Sequence, residues 1–219
     1  MSVLAVDLEP DPEGPGVAHR ADLTVPDANA DAVAAAAERF GRLDVIVPNA
    51  GVQHVAPIEE FPLERWQTIV ALMLTSPFLL ARHAWPLLRR SDSGRFIAIA
   101  SVHGLVASPY KAAYVSAKHG LIGLVKTLAL EGASDGITAT AVCPSYVRTP
   151  LVEKQIADQA RAHGLARERV LDEVILAPQA VKELLEPSDV AEVVAFLASP
   201  AGRAFTGVPL AMDHGWTAR

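Results

Sequence analysis

The sequence is poor in cysteine and in positive charge. Cys143 is its only cysteine, so the chain forms no internal disulfide, and it has no cluster of Cys and His at zinc-binding spacing. Its 19 lysines and arginines stand against 25 acidic residues, a formal net charge of -6, which argues against a general affinity for nucleic acid or anionic membranes. We therefore expect no metal site, no nucleic-acid partner and no membrane partner. A reducing cytoplasm fits the single cysteine best.

A targeting signal and a long apolar run are also missing. Four acidic residues stand among three prolines in the first 15 residues, where a secretory signal would have a basic flank and an apolar core. The longest apolar stretch, 69–81, is shorter than the roughly 18 residues that a membrane helix needs, and it contains Pro77. We predict a buried helix there.

What the sequence does have is an alternation of short apolar runs and longer segments with helical periodicity. With 51% hydrophobic and 20% charged residues, the 219 residues can form one core, so we predict a single domain over 1–219. The alternation predicts an α/β fold with a Rossmann-like, doubly wound and mostly parallel sheet. The predicted strands are 3–6, 44–47, 95–100, 137–142 and 208–212, with a weaker one at 17–23. The predicted helices are 28–40, 62–90, 110–133, 151–185 (broken) and 188–198.

A tyrosine and a lysine stand four residues apart in one predicted helix. Tyr114 and Lys118 should project from the same face. An ammonium beside a phenol lowers the phenol pKa, which starts near 10, and would make Tyr114 a usable base near neutral pH. Ser101, at the end of the preceding strand, could hydrogen-bond the same reacting oxygen. An ordinary exposed pair is the alternative, because this spacing is common on helix surfaces.

Five separated blocks carry a resemblance to a known family. They are PNAGVQHVAPIEEFP at 48–62, IASVHGLVAS at 99–108, KAAYVSAKHGLIGL at 111–124, TPLVEKQI at 149–156 and the ending MDHGWTAR. In these blocks the chain resembles the NAD-dependent short-chain dehydrogenase/reductases, and among them the 3-hydroxybutyrate dehydrogenases. The resemblance implies hydride transfer that interconverts a 3-hydroxy acid and its 3-keto acid. It implies Tyr114 as general base, Lys118 as the residue that holds the nicotinamide ribose and lowers the tyrosine pKa, and Ser101 as the residue that orients the substrate oxygen.

The resemblance also implies a substrate set and a cofactor set. The residues that would hold a short hydroxy acid are Gln53, His103, Lys111 and Gln155, with Tyr146 and Trp216 on its apolar side. Charge-assisted donors that converge from several loops suit a small carboxylate, and Lys111 could supply the charge. Each of these side chains could instead be a solvated loop residue or a packed one.

NAD is the expected cofactor, because an acidic residue at a strand end accepts hydrogen bonds from a ribose diol and repels a 2′-phosphate. Asp7 occupies such a strand end. The other implied cofactor contacts are Asp22 and Leu23 at the adenine, Asn49, Ala50 and Gly51 at the adenosine ribose, and Pro144, Val147 and Thr149 near the nicotinamide, together with Tyr114 and Lys118. Asp22 could instead only cap a turn before Pro26.

The chain departs from the family pattern at its beginning and at four single positions. The family begins with a strand, a glycine-rich turn and a helix that binds the pyrophosphate. Gly14-Pro15-Gly16 cannot serve, since a proline lies inside it and another strand follows. We therefore expect an N-terminally incomplete domain, in which the strands at 3–6 and 44–47 lack their common neighbour. The single departures are Met73 for an asparagine that supports proton relay, Pro48 for an asparagine, and Ser145 and His214 for glycines.

Three hypotheses about function remain open at this point. The first is a cytoplasmic NAD-dependent oxidoreductase acting on 3-hydroxybutyrate or a similar short 3-hydroxy acid. The second is a degenerate or truncated protein without catalysis that acts as a subunit or binding partner. The third keeps the enzyme and changes the substrate to another small alcohol or ketone. The resemblance further implies a homotetramer or homodimer, with the helices near 62–90 and 110–133 at subunit interfaces.

Overall fold

The computed structural model describes residues 1–218, and all six predicted strands form. They are β1 (Leu4–Asp7), β2 (Val17–Arg20), β3 (Val45–Ile46), β4 (Arg95–Ile99), β5 (Thr138–Pro144) and β6 (Pro209–Met212). Every described strand pairing is parallel. The prediction of a parallel α/β fold is confirmed. Helices lie between the successive strands from β2 to β6, as crossover connections between parallel strands require.

Seven α-helices lie in the described part of the chain. They are α1 (Pro26–Phe40), α2 (Leu63–Val70), α3 (Ser76–Leu88), α4 (Ala112–Gly132), α5 (Pro150–His163), α6 (Arg167–Val170) and α7 (Pro187–Ala198). Two π-helical turns, Ala71–Thr75 and Leu171–Ile175, lie between α2 and α3 and after α6. Short 3-10 turns occur at Ile58–Glu60, Val102–Gly104, Ala133–Asp135 and Pro200–Ala204.

The strands are divided between two sheets. One has the order β3-β4-β5-β6, and the other is the pair β1-β2. Within residues 1–218 no strand pairs with the second edge of β1 or of β3, as the sequence predicted. Gly16 closes the turn between β1 and β2 with a φ of +116°, and a Cβ there would lie 2.9 Å from the Val3 carbonyl oxygen. This glycine therefore serves a strand-to-strand turn rather than a phosphate loop.

The core lies on both faces of the four-stranded sheet. Phe96 of β4 is fully buried on one face and packs with Leu121 and Val125 of α4. On the opposite face Ile97 of β4 packs with Leu197 of α7. Alternate residues of one strand thus bury opposite faces, and the sheet forms the middle of three layers.

The segment from α2 through α3 is one continuous helix, in agreement with the helix predicted over 62–90. Leu63–Leu88 spans 26 residues with a mean hydropathy of 1.2, so by length and composition alone it could cross a membrane. In this fold α2 and the π turn pack against α4, and α3 packs against α1. A core helix of this kind passes the same test, so the helix is weak support for a membrane span.

Candidate active site

The candidate site lies at the carboxyl ends of β4 and β5. The two strands are parallel and in register, with Ile99 opposite Val142, and the Ala100 amide continues the ladder by donating to the Val142 carbonyl at 2.7 Å. The residues that follow each strand must therefore emerge at the same edge of the sheet. They are Ser101 to His103 after β4, and Ser145 and Tyr146 after β5.

The structure brings Ser101, Tyr114 and Lys118 together. Tyr114 and Lys118 occupy successive turns of α4, and the ammonium of Lys118 lies 5.7 Å from the centre of the Tyr114 ring. Ser101 hydrogen-bonds the Tyr114 side chain, and its Oγ also accepts from the His103 amide at 3.1 Å. The alternative of an ordinary exposed pair is therefore excluded, since Lys118 is buried and Tyr114 partly buried. The catalytic roles of the three residues stay predictions.

In this arrangement the pKa of Tyr114 is raised, whereas the sequence predicted a lowered one. Burial raises the pKa of Tyr114 above its usual value, and only the hydrogen bond from Ser101 acts in the opposite direction. Lys118 is itself desolvated, which lowers its pKa to about 8. Its Nζ donates to the Ile99 carbonyl at 2.6 Å instead of to the phenol. A positive charge at this distance does not outweigh the cost of burying a phenolate.

A second buried group surrounds Lys111, the residue before α4. Its Nζ donates to the Tyr146 hydroxyl at 2.8 Å and to Gln155 Oε1 at 3.3 Å, and all three residues are at least nine-tenths buried. Tyr146 stacks on Trp216 with the ring centres 6.0 Å apart. The structure thus joins four of the six predicted substrate residues through direct contacts: Lys111, Tyr146, Gln155 and Trp216.

His103 connects this group to the tyrosine of α4. Its ring lies edge-on to Tyr114, Tyr146 and Trp216, with centre-to-centre distances of 6.0, 6.1 and 5.3 Å. Nε2 of His103 is 2.9 Å from the Ser108 hydroxyl. Burial, together with the charge of Lys111, lowers the pKa of His103 to about 3, so the ring is neutral at physiological pH. The site therefore offers a neutral imidazole beside the phenol rather than a second positive charge.

Gln53 is the predicted substrate residue with no described contact to this group. Its Oε1 accepts from the neighbouring His54 amide at 3.0 Å. The same loop is nonetheless tied to the site, because the Ala56 amide donates to the Tyr110 carbonyl at 3.0 Å. Tyr110 has a φ of +68°, an unusual value for a residue with a side chain, and it directly precedes Lys111. Such a conformation persists only where the surrounding structure enforces it.

The predicted adenosine contacts lie apart from these groups, after β1 and β2. Asp7 ends β1 and is exposed. Its carboxylate accepts from the Glu9 amide at 3.1 Å, and its backbone carbonyl accepts from the Ala21 amide at 2.9 Å. Asp22 accepts from the amide and the hydroxyl of Thr24 at 2.9 and 2.7 Å, which lowers its pKa. Asp22 therefore caps a turn, the alternative considered for it, and the Leu23 carbonyl accepts from Asn29 at 3.1 Å.

The remaining cofactor candidates lie at or after the ends of β3 and β5. Asn49, Ala50 and Gly51 are exposed after β3, and a Cβ at Gly51 would lie 3.5 Å from the methyl carbon of Met73. Met73 is buried in the π turn and packs with Ile69, Ala113, Ala117 and Tyr114, so it fills with apolar atoms the position predicted to lack a relay group. Pro144 ends β5, Val147 forms a bridge with Leu185, and Thr149 precedes α5.

Sequence reasoning missed a buried asparagine and a buried glutamine. Asn29 is fully buried in α1, donates to the Leu23 and Val25 carbonyls, and accepts from the Ser76 hydroxyl at 2.6 Å. Gln179 is also buried, and its Oε1 lies 3.1 Å from the Ser145 hydroxyl and 3.2 Å from His214 Nδ1. Nothing in the local sequence pattern distinguishes either residue from a solvated amide.

Gln179 explains the two glycine replacements. The serine at 145 and the histidine at 214 both bond this one amide. His214 has a φ of +51°, so the backbone there does take the left-handed conformation that glycine favours, whereas Ser145 is not among the residues with positive φ. Histidine tolerates this conformation better than most residues, and its ring bonds hold the turn that carries Trp216.

The predicted cofactor residues fit the adenosine and nicotinamide ends of a dinucleotide better than its central pyrophosphate. Asp7 offers an accessible carboxylate for a ribose diol, and Thr149 and Val147 after β5 offer a hydroxyl and backbone groups for an amide, with the Thr149 hydroxyl donating to the Val147 carbonyl at 3.2 Å. Among residues 1–218 no glycine-rich turn joins a strand to a helix, which is the element that usually binds the pyrophosphate. The described residues also contain no group of three His, Cys, Asp or Glu that could hold a metal ion.

Known proteins resemble this chain over nearly its whole length. A family model described as enoyl-(acyl carrier protein) reductase matches residues 8–217, which include every predicted site residue except Asp7. The D-beta-hydroxybutyrate dehydrogenase of Rhizobium meliloti (strain 1021) is 50% identical over 201 residues, which are 92% of this chain and 78% of that protein. The D-beta-hydroxybutyrate dehydrogenase of Cupriavidus necator is 44% identical, with the same shares of the two chains covered.

Solved structures agree in fold. The ligand-free aldohexose dehydrogenase of Thermoplasma acidophilum superposes with a TM-score of 0.91 and 28% sequence identity. The superposition covers 100% of this chain and 85% of that one, so it includes both strand groups.

Proposed function

From the premise that this chain belongs to the short-chain dehydrogenase/reductase family of oxidoreductases, we propose that it interconverts a short 3-hydroxy acid, 3-hydroxybutyrate, and its 3-keto acid with NAD. The observation that carries the proposal is the buried amine of Lys111 next to the Ser101, Tyr114 and Lys118 group. A buried ammonium calls for a counter-charge, and no described carboxylate hydrogen-bonds or ion-pairs with it. A substrate carboxylate would supply that charge.

The proposed substrate pose has one end of the acid at the Lys111 group and the other end at the Ser101, Tyr114 and Lys118 group. The carboxylate would lie between Lys111 and Gln155, and the hydroxyl would lie between Ser101 and Tyr114. His103 is in ring contact with both Tyr114 and Tyr146, so it lines the space between the two ends. Trp216 and Tyr146 would cover the apolar part of the acid. A short acid suits this compact arrangement better than a long one.

Each residue then has one task. Tyr114 accepts the proton of the substrate hydroxyl, and Ser101 holds the substrate oxygen in line with the phenol. Lys118 stabilises the phenolate that forms, and its bond to the Ile99 carbonyl keeps it in position. The chemistry that bound NAD would supply is a hydride acceptor for C3 of the acid. Asp7, Asp22 and Leu23, the loop Asn49 to Gly51, and Pro144, Val147 and Thr149 are the residues that would hold it.

The experiment compares NADH formation from 3-hydroxybutyrate by the native chain and by Tyr114→Phe. Loss of the general base should lower kcat by about 10²–10⁴-fold and leave the thermal melting temperature nearly unchanged. Lys126→Met, which changes an exposed lysine of α4, is the control and should keep native turnover. Turnover that does not change in Tyr114→Phe would refute the assignment.

One observation favours a second candidate, a family member without catalysis that serves as a subunit or binding partner. This observation is the division of the strands into two sheets, with no described phosphate-binding turn between them. Calorimetric titration of these 219 residues with NAD separates the two proposals. Micromolar binding supports the enzyme, and no binding supports the partner.

The third candidate, an enzyme for another small alcohol or ketone, makes a different prediction about charge. It requires that uncharged analogues react as well as acids do, and that Lys111→Ala leaves this ratio unchanged. Measuring both classes of substrate with both proteins decides between the two substrate classes.

We place the protein in the cytoplasm as a single-domain subunit of a homo-oligomer. Apolar side chains exposed on the helical faces named by the family resemblance support this part of the proposal. Phe78 of α3 is 47% exposed and Leu130 of α4 is 81% exposed. Sedimentation equilibrium, which gives the mass in solution, tests the oligomer directly, and a monomer would contradict it.

A further inference from the structure

The amine of Lys111 is a buried base whose described hydrogen-bond partners are all neutral. The residue is 1% exposed, and its Nζ donates to the Tyr146 hydroxyl and to the Gln155 side-chain oxygen. It also lies 4.9 Å from the centre of the Tyr146 ring. A phenol and an amide can solvate an ammonium in part, but neither neutralises its charge.

Among the residues whose side chains the structure describes, the elements packed around Lys111 add no negative charge that contacts it. His103, from the turn after β4, is neutral because burial lowers its pKa to about 3. The phenol that contacts the amine is Tyr146, and His103 is in ring contact with both Tyr146 and Tyr114. Burial raises the pKa of both phenols. The nearest titratable lysine on the same helix, Lys118, would repel a second ammonium.

The carboxylates on the neighbouring elements are directed elsewhere. Asp213, in the turn that carries Trp216, accepts from the Gly215 amide and from the amide and hydroxyl of Thr217. On α5 it is the neutral Gln155 that faces Lys111, whereas Glu153 is exposed. The pocket around the amine is therefore polar but carries no compensating charge.

Such surroundings favour the neutral form of an amine, because the charged form loses its water without gaining a counter-ion. Desolvation lowers the pKa of Lys111 to about 7. A carboxylate placed beside the amine reverses this balance, since an opposite charge within about 4–6 Å favours ionisation. The protonation state of Lys111 must then differ between the empty and the acid-bound site at any pH above neutral.

Resting on the proposed function, we propose that the site takes up a proton with each carboxylate that it binds, and that Lys111 receives it. Selection of acids over neutral alcohols then depends on pH. Above about pH 7 the affinity for the acid falls by about tenfold for each pH unit, because one proton must be captured with each ligand. The affinity for an uncharged analogue has no such slope.

The test is calorimetric titration of the full chain with 3-hydroxybutyrate in the absence of nucleotide, so that no turnover occurs. Titrations in HEPES and in Tris at the same pH give the number of protons exchanged, because the two buffers ionise with different enthalpies. We expect an uptake of about one proton per bound acid at about pH 8 and close to none at about pH 5.5. Butane-1,3-diol, the uncharged analogue, should bind without proton uptake at either pH.

Two variants assign the proton to Lys111. Lys111→Arg keeps a permanent charge, so it should bind the acid with no proton uptake and with a flat pH dependence. Lys111→Met should lose both the acid affinity and the uptake, and it keeps the test valid if arginine does not fit the cavity. Lys126→Met, on the exposed face of α4, should behave as the native chain.

The outcomes separate this inference from the proposed function. Acid binding by the native chain without proton uptake at about pH 8 overturns the inference and leaves the function standing. Proton uptake that persists in Lys111→Met overturns the role of Lys111. No acid binding at either pH overturns the proposed function and the inference with it.

Discussion

The two groups of strands differ in how completely they are built. The β3 to β6 sheet is covered by α4 on one face and α7 on the other, and it carries fully buried residues such as Phe96 and Ile97. The β1-β2 pair has only partly buried or exposed residues, and no described strand pairs with its second edge. The Ser101, Tyr114 and Lys118 group and the Lys111 group belong to the first region, and Asp7, Asp22 and Leu23 belong to the second.

The residues proposed to bind the acid and those proposed to bind the cofactor are therefore supported by parts of the fold that differ in burial. The groups that would bind and deprotonate the acid are fixed by a deep core. The groups that would bind adenosine are held by a small sheet and by local turns such as the Asp22–Thr24 bonds. A two-stranded sheet is marginally stable without further packing, so the second region depends on its attachment to the first.

The largest predicted effect comes from truncating one apolar side chain in each region and comparing the losses of stability. Phe96→Ala leaves a cavity at the centre of the four-stranded sheet and should lower the free energy of unfolding by about 3–5 kcal/mol. Val6→Ala, in the partly buried β1, should cost about 1 kcal/mol. Urea unfolding of both variants measures the difference. Equal losses would show that the two regions are equally important to stability.

A second prediction concerns the free energy of unfolding that the native protein loses by burying the amine of Lys111 in the β3 to β6 region. Lys111→Met removes a buried amine, so at about pH 6 it should raise the free energy of unfolding by about 2–3 kcal/mol. The unfolded lysine has a pKa near 10.4 and the folded one about 7. Between these values the unfolded state binds more protons, so the native chain gains stability as pH rises. The advantage of the variant should therefore shrink toward about pH 10.

Unfolding curves at several pH values follow that trend, and Lys126→Met is the matched control. A constant difference between Lys111→Met and the native chain from pH 6 to 10 would contradict the low pKa of Lys111. A variant that is less stable at every pH would show that the hydrogen bonds to Tyr146 and Gln155 outweigh the burial of the charge.

The smallest predicted effect concerns the connection between the regions. Asn29 bonds two carbonyls of the loop after β2 and also accepts from Ser76 of α3. Asn29→Ala should cost about 1–2 kcal/mol, because it leaves buried polar groups without partners. It should also speed hydrogen exchange in residues 22–25. Ser76→Ala keeps the loop bonds, so it should leave that exchange nearly unchanged, and equal acceleration in both variants would contradict the assigned role of Asn29.

The order of the elements could be predicted because it depends on the periodicity of apolar residues along the chain. All six strands and four of the five helical segments lie close to their predicted positions. The remaining segment, predicted over 151–185, stops being helical after Ile175. The unpaired edges of β1 and β3 agree with the prediction that these strands lack a common neighbour. The meeting of Ser101, Tyr114 and Lys118 could be predicted for a similar reason, since strand ends and helix turns fix where these side chains point.

Energetic balances and long-range polar contacts could not be predicted in the same way. The pKa of Tyr114 depends on how deeply the phenol is buried, which the i, i+4 spacing does not reveal. The bond from Lys118 to the Ile99 carbonyl joins a side chain to a backbone atom 19 residues away. The Asn29–Ser76 contact spans 47 residues. Sequence separation of this size leaves no local trace in the pattern of residue types.

The π turn at Ala71–Thr75 changes the face of the long helix that packs against the rest of the protein. Its wide loop, closed by the Ser76 amide on the Ala71 carbonyl, inserts one residue beyond the ordinary count and rotates everything downstream by roughly 100°. Before the π turn the helix packs against α4, and after it the helix packs against α1. Removing one residue from this loop would give a regular helix, yet either Met73 would leave Tyr114 or Ser76 would leave Asn29. The extra residue in the π turn therefore lets a single helix pack on α4 in its first part and on α1 in its last part, and its number of residues is fixed by that change of face.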